Sequence, residues 1–119
     1  MRKRIDSFRY AFAGLRVMLH TQPNAWIHAT ATVVVIALGW QLGLDRDEWM
    51  SIVLAIGMVW VAEGFNTAIE FLADAAVPDR HHLIGHAKDV AAGAVLLASV
   101  AAAVVGALVF LPHLGWLLS

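Results

Sequence analysis

Two stretches of the chain, Val17 to Leu44 and Val90 to Ser119, contain no Asp, Glu, Lys or Arg. Each exceeds the roughly 20 residues that cross a hydrocarbon core at about 1.5 Å per residue. A third apolar stretch opens at Trp49, is free of charge to Ala62, and continues through Glu63 and Glu70 to about Ala76. It spans only if those carboxylates are tolerated. The pattern predicts an all-α membrane protein with transmembrane helices over about 26–44, 49–71 and 90–112. Ahead of them, Ile5, Phe8, Phe12, Leu15 and Leu19 recur at steps of three and four, while Arg2, Arg9 and Arg16 recur every seven on another face. This predicts a basic amphipathic helix over about 4–20 lying in the membrane interface; the alternative is a soluble helix packed on a partner. Asp6, Arg9 and Arg16 break any apolar run after the basic start, so no cleaved secretory signal is expected.

Composition agrees with the pattern. The chain has 119 residues, one domain's worth, of which 61% are hydrophobic and 14% charged, against about 45–50% and about 25% for soluble domains. There is no cysteine, which excludes disulfides, thiolate metal sites and cysteine nucleophiles. A net charge of −1 removes the electrostatic footprint of a nucleic-acid binder. Five of the eight Lys and Arg residues precede the first span, and Arg80 and Lys88 lie in the second connection, so the positive-inside rule places both regions in the cytoplasm. The acidic first connection, Asp45-Arg46-Asp47-Glu48, then faces out, as does the uncharged C-terminus. Trp26, Trp40, Trp49 and Trp116 fall near span ends, where indole rings anchor helices; Trp60 does not, and is expected between helices. Ala94, Ala98, Ala102 and Gly106, at steps of four, read as a close-packing stripe or as a cavity left open for lipid.

The chemical signal lies in the second span. At about 100° per residue, Glu63, Asn66, Glu70 and Asp74 project within an arc of roughly 80° and form one polar stripe about 16 Å long. A charge at the centre of a spanning helix costs roughly 2.5–3.5 kcal/mol on insertion scales, and such residues usually mark ion or substrate sites. Glu63 lies deepest; its bland reading is a protonated acid hydrogen-bonded across helices. The third span opens with Ala87-Lys88-Asp89 at the same cytoplasmic level. A cation there can meet the carboxylates or a phosphate, and Glu and Asn oxygens are ligands that Mg²⁺ accepts. A solvated helix start is the plain alternative for Lys88 and Asp89, the latter favoured by the helix dipole. His81, His82 and His86 lack the further ligands that zinc needs and read as loop, head-group or nucleotide contacts. His28, inside the first span, reads as a hydrogen-bonded core residue, with a proton relay as the sharper alternative.

Phe8-Arg-Tyr-Ala-Phe-Ala-Gly-Leu15, Asn24-Ala-Trp-Ile-His28, Ala62-Glu-Gly-Phe-Asn-Thr-Ala-Ile-Glu70 and Ala87-Lys-Asp-Val-Ala-Ala-Gly-Ala-Val-Leu-Leu97 together resemble the small bacterial integral-membrane lipid kinases, diacylglycerol kinase and undecaprenol kinase. The resemblance covers nearly the whole chain. It implies a homotrimer of three-span protomers with composite active sites at the cytoplasmic face of the inner membrane. The implied reaction is transfer of the ATP γ-phosphoryl group to a membrane-lipid hydroxyl. By the family pattern Glu63 is the general base, Asn66 organises the site, Glu70 is a Mg²⁺ ligand, Lys88 contacts phosphate, and Asp89 and Tyr10 hold nucleotide or site geometry. Two positions depart from it. Gln22 stands where the family commonly has a second metal-binding glutamate, and His86 where a basic residue often precedes Ala-Lys-Asp. The competing expectation is a non-catalytic membrane assembly whose carboxylate stripe binds a cation or locks helix packing.

Overall fold

The computed structural model describes residues 2–77, 79 and 81–118. Four helices follow one another: α1 (Arg2–Thr21), α2 (Pro23–Leu42), α3 (Arg46–Ala76) and α4 (His82–Leu118). α2, α3 and α4 up to Gly115 are each long and apolar enough to cross a membrane.

Local chemistry sets the joints. Gln22 is extended at φ −114° and ψ 113°, as a residue before proline must be, and Pro23 opens α2 where its missing N–H costs nothing. Gly43 ends α2 in the left-handed region at φ 70° and ψ 52°, its N–H donating to the Gly39 carbonyl. Two residues later Asp45 starts α3. The Glu48 N–H donates to Asp45 Oδ1 at 2.8 Å, and the Asp45 N–H donates to Glu48 Oε1 at 3.1 Å, a reciprocal cap that leaves neither group unpaired. The α2–α3 joint is therefore a tight corner, closed by Leu44, Ile52 and Val109, which bury together against Trp49 and Phe110. Gly39 is needed there because the Trp49 ring lies where a Cβ would be, 2.8 Å from Cη2.

Helices α3 and α4 run past the spans expected from hydropathy: α3 has 31 residues and α4 has 37. α4 opens at His82 rather than near residue 90, because the polar residues of its first two turns do not interrupt backbone hydrogen bonding. Pro112 sits inside its last turns. α3 and α4 pack on each other over the longest contact, and α1 touches α2 and α3. At the end remote from the α3–α4 connection, His113 Nε2 lies 2.7 Å from Glu48 Oε2 and ties the two helices again.

The small residues of α4 serve both expected roles. Ala98 is buried, whereas Ser99, Ala102 and Gly106 line a mostly apolar cavity of about 310 Å³ shared with α2 and α3, to which His28 also contributes. Along α1, Ile5, Phe8, Phe12 and Leu15 are exposed and Met18 is buried.

Candidate active site

α3 carries the whole polar stripe as one uninterrupted helix, and burial falls along it. Glu63 is 1% exposed, Asn66 and Glu70 are half-buried, and Asp74 is exposed. Burying a carboxylate is costly unless it is paired and hydrogen-bonded, which makes the partners of Glu63 the central question. His28 Nε2 lies 3.1 Å from Glu63 Oε2, off the line of a hydrogen bond, and both Glu63 oxygens are buried without a hydrogen-bond partner among the described residues. Asn66 Oδ1 is in the same condition one turn on.

The His28 ring is held from α3 as well. Its edge meets Trp60 in a T-shaped contact, with centroids 6.4 Å apart. Trp60 Nε1–H donates to Thr32 Oγ1 at 3.0 Å, and the Thr32 hydroxyl donates to the His28 carbonyl at 2.7 Å. Trp60 thus lies between α2 and α3.

At the exposed end of the stripe α4 supplies the cation. Lys88 Nζ donates to Asp74 Oδ1 at 2.6 Å and sits 3.9 Å from Glu70 Oε2. Asp74, Asp79, His81, His82 and Lys88 line an open cleft of about 420 Å³, together with apolar Val77 and Ile84. His81 and His82 stack with centroids 4.9 Å apart. Asn66 faces a second hollow, which His86 and Ala87 of α4 also line.

α3 thus carries Glu63, Asn66 and Glu70 along one stripe, and α4 brings Lys88 to the outer end of it. The fold does not bring the other candidates to them. Tyr10 is 72% exposed on α1, and Asp89 is exposed on α4; neither makes a side-chain hydrogen bond or ion pair among the described residues. Gln22 caps the start of α2 without a side-chain hydrogen bond to it. Among the described residues no group of three or more His, Cys, Asp and Glu side chains could hold a metal ion. Asn66 and Glu70, four residues apart on one helix face, still offer two hard oxygens. That fits Mg²⁺, which is usually held by one or two carboxylates with phosphates and water completing the shell. Two cross-helix partners lie beyond the sequence pattern: the contact of Glu63 with His28, and that of Glu48 with His113. For the first a signal existed, since a buried membrane carboxylate requires a partner and His28 is the one ionisable side chain of α2.

A family model described as prokaryotic diacylglycerol kinase matches residues 9–110. An undecaprenol kinase from Bacillus subtilis is 41% identical over 109 residues, covering 91% of this chain and 88% of that protein. A diacylglycerol kinase from Synechocystis is also 41% identical over 109 residues, covering 91% of this chain and 62% of that protein. A diacylglycerol kinase from Escherichia coli is 26% identical over 111 residues, which is 93% of this chain and 91% of the relative. With three membrane-length helices and this family match, the molecule is a bacterial membrane enzyme of the lipid-kinase class. The chain belongs to the prokaryotic diacylglycerol kinase family.

Proposed function

We propose that the protein transfers the γ-phosphoryl group of ATP, with Mg²⁺, to the hydroxyl of a membrane lipid, either undecaprenol or diacylglycerol. One observation carries the reading: a carboxylate 1% exposed, with both oxygens free of hydrogen-bond partners among the described residues, stands at the inner end of a stripe whose outer end holds a lysine. The burial suits an acceptor that stays among the helices, and the open cleft beside Lys88 suits a triphosphate arriving from water.

Glu63 takes the proton of the lipid hydroxyl as that oxygen attacks the γ-phosphorus and the bond to the β-phosphate oxygen breaks. Lys88 meets phosphate oxygens, exchanging its contact with Asp74 for them. Asn66 orients groups between the two. Glu70 would hold Mg²⁺, with Asn66 or Gln22 as a neutral oxygen ligand, and the ion supplies charge neutralisation on the phosphates. Tyr10 and Asp89 complete the nucleotide site in the assembled enzyme. The single domain, residues 1–119, works as a homotrimer in the inner membrane, with α1 on the cytoplasmic surface and the C-terminus outside. The exposed apolar face of α1 and the 72% exposure of Tyr10 in one chain support that arrangement.

The test is lipid-dependent ATP turnover in micelles carrying either lipid. Glu63→Gln is expected to lose about 10²–10⁴-fold in turnover, the usual contribution of a general base, while still binding ATP. Glu70→Gln is expected to lose Mg²⁺-dependent nucleotide binding instead. Near-normal turnover in Glu63→Gln overturns the base role.

A further inference from the structure

A carboxylate serves as a base only while it is ionised and aimed, and Glu63 is 1% exposed with neither oxygen hydrogen-bonded among the described residues. Desolvation penalises the charged form of any buried acid, and a hydrogen bond to that form offsets the penalty. The side chains near enough to supply one are few. α2 has His28 alone as an ionisable residue. α4 has none between Asp89 and His113, and its Lys88 is taken up by Asp74 and Glu70. On α3 the nearest charged group is Glu70, two turns away, and Asn66 is neutral. α1 contributes Arg16 and His20 on its last turns, neither of them paired with Glu63 among the described residues.

We infer that His28 is the positioning residue of the base: its Nε2–H donates to Glu63 Oε2, keeping the carboxylate ionised and leaving Oε1 free for the lipid hydroxyl. The inference rests on Glu63 being the base. The ring is already 3.1 Å from that oxygen, and such contacts are often poorly aligned before substrate binds and tighten in the complex. Its placement is built rather than incidental. Trp60 and Glu63 stand three residues apart on α3, and His28 and Thr32 four apart on α2, so each helix gives one group to hold the ring and one to be held. The Trp60–Thr32–His28 carbonyl chain of hydrogen bonds fixes the α2 backbone from which the ring projects. His28 also lines the mostly apolar cavity between α2, α3 and α4.

The experiment is the pH profile of lipid-dependent turnover in the wild type, His28→Ala and His28→Gln, with Glu63→Gln as reference. His28→Ala is expected to lower kcat about tenfold to hundredfold at neutral pH, the scale of a hydrogen bond to a charged group, with the KM for lipid little changed. Its acid limb should move to higher pH by about one unit or more, and turnover should recover in alkaline solution. The glutamine of His28→Gln keeps an N–H donor near the Nε2 position, so it is expected to restore both the limb and most of kcat. An acid limb unmoved in His28→Ala, with kcat lowered at every pH, overturns the inference, as does a glutamine variant no better than the alanine one. Infrared titration of the wild-type protein decides the matter where the alanine variant does not assemble. The protonated-carboxyl band lost in Glu63→Gln should be absent at the pH of normal turnover, and its presence there overturns the inference. An active Glu63→Gln overturns the base role itself, whereas an inactive Glu63→Gln with an unmoved limb in His28→Ala overturns His28 alone.

Discussion

Lys88 and Glu63 are both charged residues on membrane-length helices, yet their surroundings assign them different work. The Lys88 pair with Asp74 is partly exposed, at 31% and 66% of the two side chains, and solvent screening leaves exposed ion pairs little net effect. Its value to stability is therefore small, and removing it should show in substrate binding. Lys88→Gln is expected to raise the KM for ATP about tenfold or more while the melting temperature in detergent changes little; an unchanged KM would take Lys88 away from the phosphates. At this scale the stripe is legible in the sequence, since Glu63, Asn66, Glu70 and Asp74 follow from helical periodicity alone. The contact of Glu63 with His28 is not, because a distance between two helices is set by their rotation and depth, which periodicity within one helix does not specify. The same holds for Glu48 and His113, separated by 65 residues.

Among the elements, the α2–α3 corner is the most demanding. A Cβ at Gly39 would stand 2.8 Å from Trp49 Cη2 and 2.9 Å from Leu44 Cδ1, and overpacking of this kind usually costs about 1–3 kcal/mol. Gly39→Ala is expected to be destabilised by that amount in detergent unfolding. Gly14→Ala, where nothing stands within 4 Å of the added Cβ, should be neutral or slightly stabilised. The number of helices can be read from two charge-free windows, a third apolar stretch interrupted by Glu63 and Glu70, and the periodicity of α1. Their ends cannot: a helix continues wherever backbone hydrogen bonds are satisfied, so α3 and α4 project as polar turns beyond the apolar core. Capping residues mark one such end clearly, since Asp45 with Glu48 three residues later is a helix start on the sequence alone. Whether the small-residue stripe of α4 closes or leaves space depends on what faces it, and α2 and α3 leave a cavity there.

For the whole molecule, Lys88 lies at the α3–α4 end of the bundle and the acidic corner of Asp45, Asp47 and Glu48 at the other. In the proposed orientation, cysteines introduced at Arg4 and Asp47 of this cysteine-free chain should be labelled from opposite sides of the membrane. Labelling of both from one side overturns the three-span arrangement. The fall in burial from Glu63 through Asn66 and Glu70 to Asp74 has a kinetic consequence. In the proposed reaction one substrate reacts without leaving oil and the other without leaving water, so the lipid never needs to be extracted from its phase. The enzyme then senses how crowded its alcohol is in the surrounding amphiphile, not how much is present in the tube. Adding inert detergent or lipid at a fixed total amount of acceptor should slow turnover in proportion to the mole fraction. Diluting the whole suspension with buffer at fixed mole fraction should leave the rate per enzyme unchanged.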